Sequence, residues 1–559
     1  MSVEKPWLLH YPEQIPHELH FEDQTLHSVL QQSAQQFSEK TAIHFLGKKS
    51  TYQQVYEEAL KIADYLLSLG LKKGDRVSIM LPNCPQAVIA YYGVLFAGGI
   101  VVQTNPLYKE RELEHLIKDS EADILITLDN LYPVTSKMKA LTNLKHIILT
   151  SMKDFLPFPK NMFYPFVQKK QEQFSIEITE NESTHFFRTI MKRPIPNGPP
   201  NIEVDPFHDI AVLQYTGGTT GTPKAVMLSH CNILANIKQC VTWSYKLETG
   251  KEKVLGLVPF FHVYGMMAII NLTINQGYEM ILLPRFDAQT VLKTIDKEKP
   301  TIFPGVPTIY IALLNHPDIK QYDLSSIKSC LCGSAPLPVE VKQQFEKVTG
   351  GKLVEGFGLS EASPVTHSNL IWDLNKPGSI GCPWPGTEAA IYSEETGGFL
   401  EPYERGEIVV KGPQVMKGYW NNPEETAAVL KDGWLFTGDI GYMDKDGFFY
   451  IVDRKKDMII AGGYNIYPRE IEEVLYEHEA IQETVVIGVP DEYRGETVKA
   501  FVVLKDHVTI TEKELDEYAR SRLAPYKVPK IYEIRDELPK TAVGKILRRA
   551  LVDEEKAKA

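Results

Sequence analysis

At 559 residues the chain is longer than one simple core organises, and length alone predicts two to four compact units. Hydrophobic residues at 43% and charged residues at 24% are the proportions of a globular protein and exclude extensive disorder. A net charge of −12 repels phosphate backbones and excludes non-specific nucleic-acid binding, while leaving room for a local basic channel toward an anionic substrate.

Residues 1–7 show no basic region followed by an apolar run, so no signal peptide is expected. Leu26, Val29, Leu30 and Phe37 then recur at helical spacing behind Thr25, a candidate N-cap. A strand is expected at 42–45, a turn at Gly47, a second helix ending near Gly70, and a strand at 76–81 with apolar residues at alternate positions. The apolar run 87–102 falls short of the ~20 residues that cross hydrocarbon. It holds Tyr91, Tyr92, Gly98 and Gly99, and reads as a helix running into a buried strand. Pro259, His262 and Asn271 interrupt the other long apolar stretch, 254–274, so no membrane span is expected.

Alternation of helix and strand patterns to about residue 390 predicts α/β units around mainly parallel sheets, without a repeat of 20–50 residues. Residues 154–171 break the rhythm. Pro157, Pro159 and Pro165 prevent a regular helix there, and Phe155, Phe158, Phe163, Tyr164 and Phe166 precede Lys169 and Lys170. Packing on its own domain is the favoured reading of this insertion, and contact with a membrane surface is the alternative. Cys84, Cys231, Cys240, Cys330, Cys332 and Cys382 form no CxxC pair and read as buried thiols of a reducing cytosol. A boundary is expected at 453–457. Beyond it, a helix marked by Ile471, Val474, Leu475 and His478, strands at 484–487 and 498–504, and a Thr511/Glu514 capping box predict a small α+β unit.

The strongest chemical signal is Tyr215-Thr216-Gly217-Gly218-Thr219-Thr220-Gly221-Thr222-Pro223-Lys224, which follows an apolar strand pattern at 210–213. Glycines let backbone N–H groups approach an anion, while hydroxyls and a lysine add donors and charge, a combination suited to ATP phosphates. The spacing fits neither a Walker A motif nor G-x-G-x-x-G.

This loop, with Val226 and Leu228-Ser229-His230, resembles the phosphate loop of the acyl-adenylate-forming superfamily, which includes acyl-CoA synthetases, luciferases and peptide-synthetase adenylation domains. Four further segments match in order: Glu355-Gly356-Phe357-Gly358-Leu359-Ser360-Glu361, Trp434-Leu435-Phe436-Thr437-Gly438-Asp439, Asp453-Arg454-Lys455-Lys456-Asp457, and Pro539-Lys540-Thr541-Ala542-Val543-Gly544-Lys545. The resemblance covers nearly the whole chain. It implies an α/β fold, with a large N-terminal body (1–452) of two α/β subdomains plus a distorted β-barrel-like subdomain, and a small mobile α+β domain (453–559).

Residue by residue, the resemblance implies nucleotide contacts from Thr216, Gly217, Gly218, Thr219, Thr220, Gly221 and Lys224, from Gly333, Ser334 and Ala335, and from Glu355, Gly356, Phe357, Gly358 and Ser360. Asp439 and Arg454 correspond to ribose contacts, Glu361 and Thr216 to Mg²⁺ ligands, Asp453 to a hinge, and Gly462 and Gly463 to the pantetheine side of CoA. Lys545 and Lys224 are the catalytic candidates. When a carboxylate attacks the α-phosphorus two anions meet, and a fixed cation lowers that barrier. The implied reaction consumes ATP and CoA in two half-reactions, with the C-terminal domain rotating between them.

Gly99-Ile100-Val101-Val102-Gln103-Thr104-Asn105-Pro106-Leu107-Tyr108, with Arg111-Glu112-Leu113-Glu114, is similar to bacterial long-chain fatty-acid–CoA ligases. His262, within Pro259-Phe260-Phe261-His262-Val263-Tyr264-Gly265, stands where the family places an acyl gate. A fatty acid is therefore the expected substrate. A medium-chain or aryl acid ligase and a lipid-binding protein without turnover are the alternatives. A cytoplasmic enzyme is expected, with peripheral contact at the inner face of the membrane and a homodimer as candidate associations. Four positions depart from the pattern: Ala225 for a usual Gly, Phe357 for Tyr, Ser360 for Thr, and Ile460 for a lysine found in some relatives. At Ala225 a methyl group would cost about 1 kcal/mol if the backbone needed positive φ.

Overall fold

In the computed structural model, residues 4–164, 178–216, 223–335, 337–461, 464–491, 494–505, 507–541 and 546–558 are described. Local signals set the first elements. Thr25 accepts a hydrogen bond from the Ser28 amide and starts α1 (Leu26–Gln36), and a Thr51/Gln54 capping box starts α2 (Tyr52–Ser68). The apolar run becomes α3 (Pro85–Phe96), buried all round, followed by β4 (Ile100–Gln103). No helix among the described residues is long and apolar enough to cross a membrane.

The chain divides into two compact units, His10–Thr387 with Lys411–Gly433, and Met1–Leu9 with Glu388–Val410 and Trp434–Ala559. The boundary expected at 452/453 falls inside the smaller unit.

In the larger unit, β3 (Arg76–Met80), β4, β5 (Ile124–Leu128), β6 (His146–Thr150), β7 (Thr184–Phe186) and β8 (Ile210–Thr216) run parallel. Two antiparallel strands, β9 (Lys224–Ser229) and β19 (Gly418–Tyr419), extend this sheet to the order β19-β9-β8-β4-β3-β5-β6-β7. Four of the five β3 residues are buried, because the strand is central and covered on both faces; the alternation expected from its sequence does not appear as alternating exposure. A second core, centred on Leu255, Ile281, Phe303, Tyr310, Phe345 and Leu353, packs around β10 (Lys253–Gly256), β11 (Glu279–Leu282), β12 (Ser329–Cys332) and β13 (Lys352–Gly358). All six cysteines are buried and none is in a disulfide.

Of the 154–171 insertion, Phe155 is buried and packs edge-on against Phe187, with Lys48 Nζ 4.6 Å above its ring. Phe158, Met162 and Phe163 are 77%, 61% and 62% exposed. Phe166, Lys169 and Lys170 lie outside the described residues.

The smaller unit contains a sheet in which β16 (Glu388–Ser393), β17 (Gly398–Phe399), β18 (Gly406–Lys411), β21 (Trp434–Met443) and β22 (Phe449–Arg454) are neighbours. Its second sheet carries β25 (Ile481–Asp491), β26 (Gly495–Leu504) and β27 (Ile531–Arg535), covered by helices Pro468–Tyr476 and Glu512–Arg520. Both expected strands and the Thr511/Glu514 capping box are present there.

Candidate active site

Strands β8 and β9 pair Thr216 with Lys224 and so bracket the glycine-rich loop. Gly217, Gly218, Thr219, Thr220 and Gly221 lie outside the described residues, as do Gly462, Gly463 and Lys545. The flanks are well defined. Thr216 Oγ1 donates to the Lys224 carbonyl at 3.4 Å, and Ala225 sits buried in extended strand backbone. Ala225 is not among the residues with positive φ, so the strain considered for its methyl group does not arise.

From β8 the hydrogen bonds lead toward the other nucleotide candidates. Gln214 Nε2 donates to the Phe261 carbonyl at 2.8 Å. The next residue, His262, caps the short helix Val263–Gly265, its Nδ1 accepting from the Tyr264 amide at 3.3 Å. Tyr264 in turn donates its hydroxyl to the Leu331 carbonyl at the end of β12. Gly333 follows two residues later, where a Cβ would stand 3.6 Å from the Tyr264 ring. Ser334, with φ of +70°, holds a left-handed conformation that non-glycine residues rarely adopt, and such backbone clusters at functional sites. The Leu337 amide donates to Glu355 Oε2 at 3.3 Å, tying this segment to β13. The Phe357 ring is buried against His367 at 5.9 Å. Gly358 cannot be replaced easily, since a Cβ there would lie 2.4 Å from the Pro364 carbonyl oxygen. Thus His262, Gly333, Ser334, Ala335, Glu355, Gly356, Phe357 and Gly358 fall on one bonded run that starts beside Thr216.

Past Gly358 the chain makes the single turn Ser360–Ala362, which presents Glu361. Here a neighbour absent from the sequence reading appears. Tyr419 on β19 donates its hydroxyl to Glu361 Oε1 at 2.7 Å, and its ring lies 5.1 Å from Lys224 Nζ. Lys224 also pairs with Glu425 on helix Pro423–Val429. Burial, then the Glu361 charge, pushes the Tyr419 hydroxyl well above the ordinary tyrosine range, so it keeps its proton and acts as a donor. Glu361 Oε2 has no partner among the described residues. The available signal was the spacing Gly418-Tyr419-Trp420 followed by Pro423-Glu424-Glu425, which composition alone does not distinguish from a surface turn.

The smaller unit holds the remaining candidates. Asp439 and Arg454 face each other in the β21–β22 register, Arg454 Nε lying 2.9 Å from Asp439 Oδ1. Asp439 is buried within β21, where Thr437 accepts the Asp439 amide at 3.1 Å and donates to the Ile408 carbonyl at 2.7 Å. Asp453 is buried too. Its carboxylate accepts the amides of Arg454 at 2.7 Å and Arg469 at 2.8 Å and lies 3.6 Å from Arg548 Nη1. Burial outweighs these partners and pushes the Asp453 carboxyl up to about 6. Ile460 is exposed.

Two family models match the chain: that of the AMP-binding enzyme over residues 30–420 and that of the AMP-binding enzyme C-terminal domain over 470–545. A long-chain-fatty-acid–CoA ligase of Bacillus subtilis (strain 168) is 66% identical over 99% of this chain and 99% of its own. One from Escherichia coli O6:H1 is 41% identical over 100% and 99%. Among solved structures, ATP-bound MatB from Rhodopseudomonas palustris superposes with a TM-score of 0.83 at 28% identity, covering 95% of this chain and 99% of that one. The anthranilate CoA ligase AuaEII in complex with anthranoyl-AMP gives 0.84 at 28%, covering 97% and 98%.

Proposed function

The chain belongs to the AMP-binding enzyme family, and from that premise we propose that it is an AMP-forming ligase joining a long-chain fatty acid to coenzyme A through an acyl-adenylate. The observation that carries this is the 66% identity, across 99% of both chains, with a long-chain-fatty-acid–CoA ligase. ATP and coenzyme A are the co-substrates.

In the first step an oxygen of the fatty carboxylate attacks the α-phosphorus of ATP. The new P–O bond forms as the bond to the β-phosphate oxygen breaks, and pyrophosphate leaves with that electron pair. In the second, the CoA sulfur attacks the acyl carbon, the C–O bond to AMP breaks, and the thiol proton passes to water. The 217–221 backbone and Lys224 cradle the phosphates in this proposal, and Lys545 supplies the cation at the α-phosphate. Asp439 accepts the ribose hydroxyls, with Arg454 holding its carboxylate in place. The segments 333–335 and 355–360 line the adenine, His262 gates the acyl channel, and Gly462 and Gly463 meet pantetheine. Residues 453–559 turn about Asp453 between the steps.

The donor set suits Mg²⁺: Glu361 keeps Oε2 without a partner among the described residues while Oε1 is taken by Tyr419, and the Thr216 hydroxyl adds a second hard oxygen. Bound there, Mg²⁺ supplies charge neutralisation to the phosphate oxygens.

One incubation tests the reading: protein, ATP, Mg²⁺, CoA and oleate, with nucleotides resolved. AMP, pyrophosphate and oleoyl-CoA are expected in equal amounts. ADP as product, or no AMP with any acid, overturns it; preference for octanoate or an aryl acid keeps the chemistry and moves the substrate class. Within the same proposal, the exposed Phe158, Met162 and Phe163 touch a bilayer surface, and F158S/F163S is expected to lower co-sedimentation with anionic vesicles. Self-association into a homodimer is read from sedimentation velocity.

A further inference from the structure

We propose that Tyr419 is the positioning residue that couples the phosphate-binding lysine to the metal-binding carboxylate; this rests on the reading of Lys224 and Glu361 given above. The backbone places it for that role. The Met416 amide bonds to the Glu361 carbonyl at 2.8 Å, Lys417 to the Met227 carbonyl at 2.9 Å, and Trp420 to the Ala225 carbonyl at 2.8 Å, with Tyr419 opposite Val226. One short strand is therefore fastened both to the turn carrying Glu361 and to β9, whose first residue is Lys224. The Tyr419 amide donates to Thr426 Oγ1 at 2.9 Å, which fixes the same strand to the helix bearing Glu425.

The side chain then acts in two directions. Its hydroxyl, donating to Glu361 Oε1, sets the carboxylate plane and leaves Oε2 for a cation. Its ring face lies under the Lys224 ammonium, adding an aromatic quadrupole to the Glu425 carboxylate that pairs with it. The two functions are separable, because phenylalanine keeps the ring and loses only the hydrogen bond.

The test uses the full chain with Mn²⁺ and α,β-methylene-ATP. Free Mn²⁺ is read by electron paramagnetic resonance, and metal-free binding of the analogue by calorimetry. Tyr419→Phe is expected to weaken Mn²⁺ binding in the presence of the analogue by about tenfold, the scale for groups that orient a metal ligand, and to leave metal-free analogue binding unchanged. Tyr419→Leu is expected to weaken both. In turnover, Y419F should raise the half-saturating Mg²⁺ concentration while kcat at saturating Mg²⁺ stays near that of the parent. Glu361→Gln separates the two layers of the argument. If E361Q loses Mn²⁺ binding and Y419F does not, Tyr419 has no positioning role and the site reading stands. If E361Q binds Mn²⁺ as the parent does, the Glu361 assignment fails and the proposal with it.

Discussion

Replacing Arg548 by methionine tests the ion-pair cluster around Asp453 through its stability. The guanidinium lies 2.5 Å from Glu472, 3.0 Å from Asp457 and 3.6 Å from Asp453, with a fifth of its side chain exposed. Removing a cation from a buried ion pair costs about 3–5 kcal/mol, because the abandoned carboxylates keep their desolvation penalty and now repel one another. Partial exposure of Arg548 places the expected loss at the lower end, about 3 kcal/mol. For a folding unit of 150–250 residues that corresponds to roughly 6–12 °C in Tm. The pH dependence has a definite sign. Asp453 holds its proton up to about 6 in the folded chain, above the value near 3.9 of an unfolded aspartate. Its ionised form therefore burdens the fold above pH 6, and stability from this group is gained as pH falls toward 4. Without Arg548 the Asp453 carboxyl rises further, so protonation relieves R548M sooner than the parent. Scanning calorimetry at pH 8 and pH 5 should show the large loss at pH 8 and a smaller one at pH 5, and D453N should recover part of it at pH 8. A Tm unchanged within 1 °C at pH 8, or a deficit that grows in acid, would refute the reasoning.

Glu58 offers a second pH-dependent case: burial pushes its carboxyl up to about 7, and its Oε2 has no hydrogen-bond partner among the described residues. Glu58→Gln should gain about 1–2 kcal/mol at pH 8, after discounting for screening by Lys48 and Lys61, and nothing at pH 4 in urea denaturation; an equal gain at both would contradict the assignment. Ala225→Gly, which restores the usual family residue, should cost about 0.5–1 kcal/mol in the same assay, since the strand backbone gains only freedom to lose; a stabilised variant would show that the position is strained. Gly418→Ala combines φ of +140° with a Cβ 2.7 Å from Thr426 Cγ2. It should destabilise by about 2 kcal/mol and raise the Mg²⁺ requirement by shifting Tyr419, so a normal Mg²⁺ titration would uncouple the two.

Local signals were legible wherever the controlling interaction is close in sequence. The caps at Thr25 and Thr511 and the helix-to-strand reading of 87–102 rest on contacts within a few residues, and all appear as read. The β3 pattern failed to become alternating exposure because covering helices bury both faces, which depends on topology rather than on five residues. At the site, the loop flanks and Glu361 were found through ordered motifs. Tyr419 was not, because its meaning comes from pairing with β9, nearly two hundred residues earlier in the chain, and from a hydrogen bond to Glu361 across a separation of 58. A tyrosine between glycine and tryptophan has no chemical mark of its own.

The same distances explain a feature that no motif contains. Three of the charged candidates meet an opposite charge within their own unit: Lys224 with Glu425, Asp439 with Arg454 at 2.9 Å, and Asp453 with Arg548 at 3.6 Å. An isolated ammonium beside a glycine-rich loop or an isolated carboxylate on a buried strand would carry an uncompensated desolvation cost. A local counterion offsets that cost and keeps the side chain extended toward its working position. On the proposed reading, phosphate oxygens at Lys224 would exchange with a carboxylate that is half exposed. On that reading Glu425 would regain hydration as the ammonium turned to the more highly charged ligand. In the Asp439–Arg454 pair the carboxylate is buried while the guanidinium is 37% exposed.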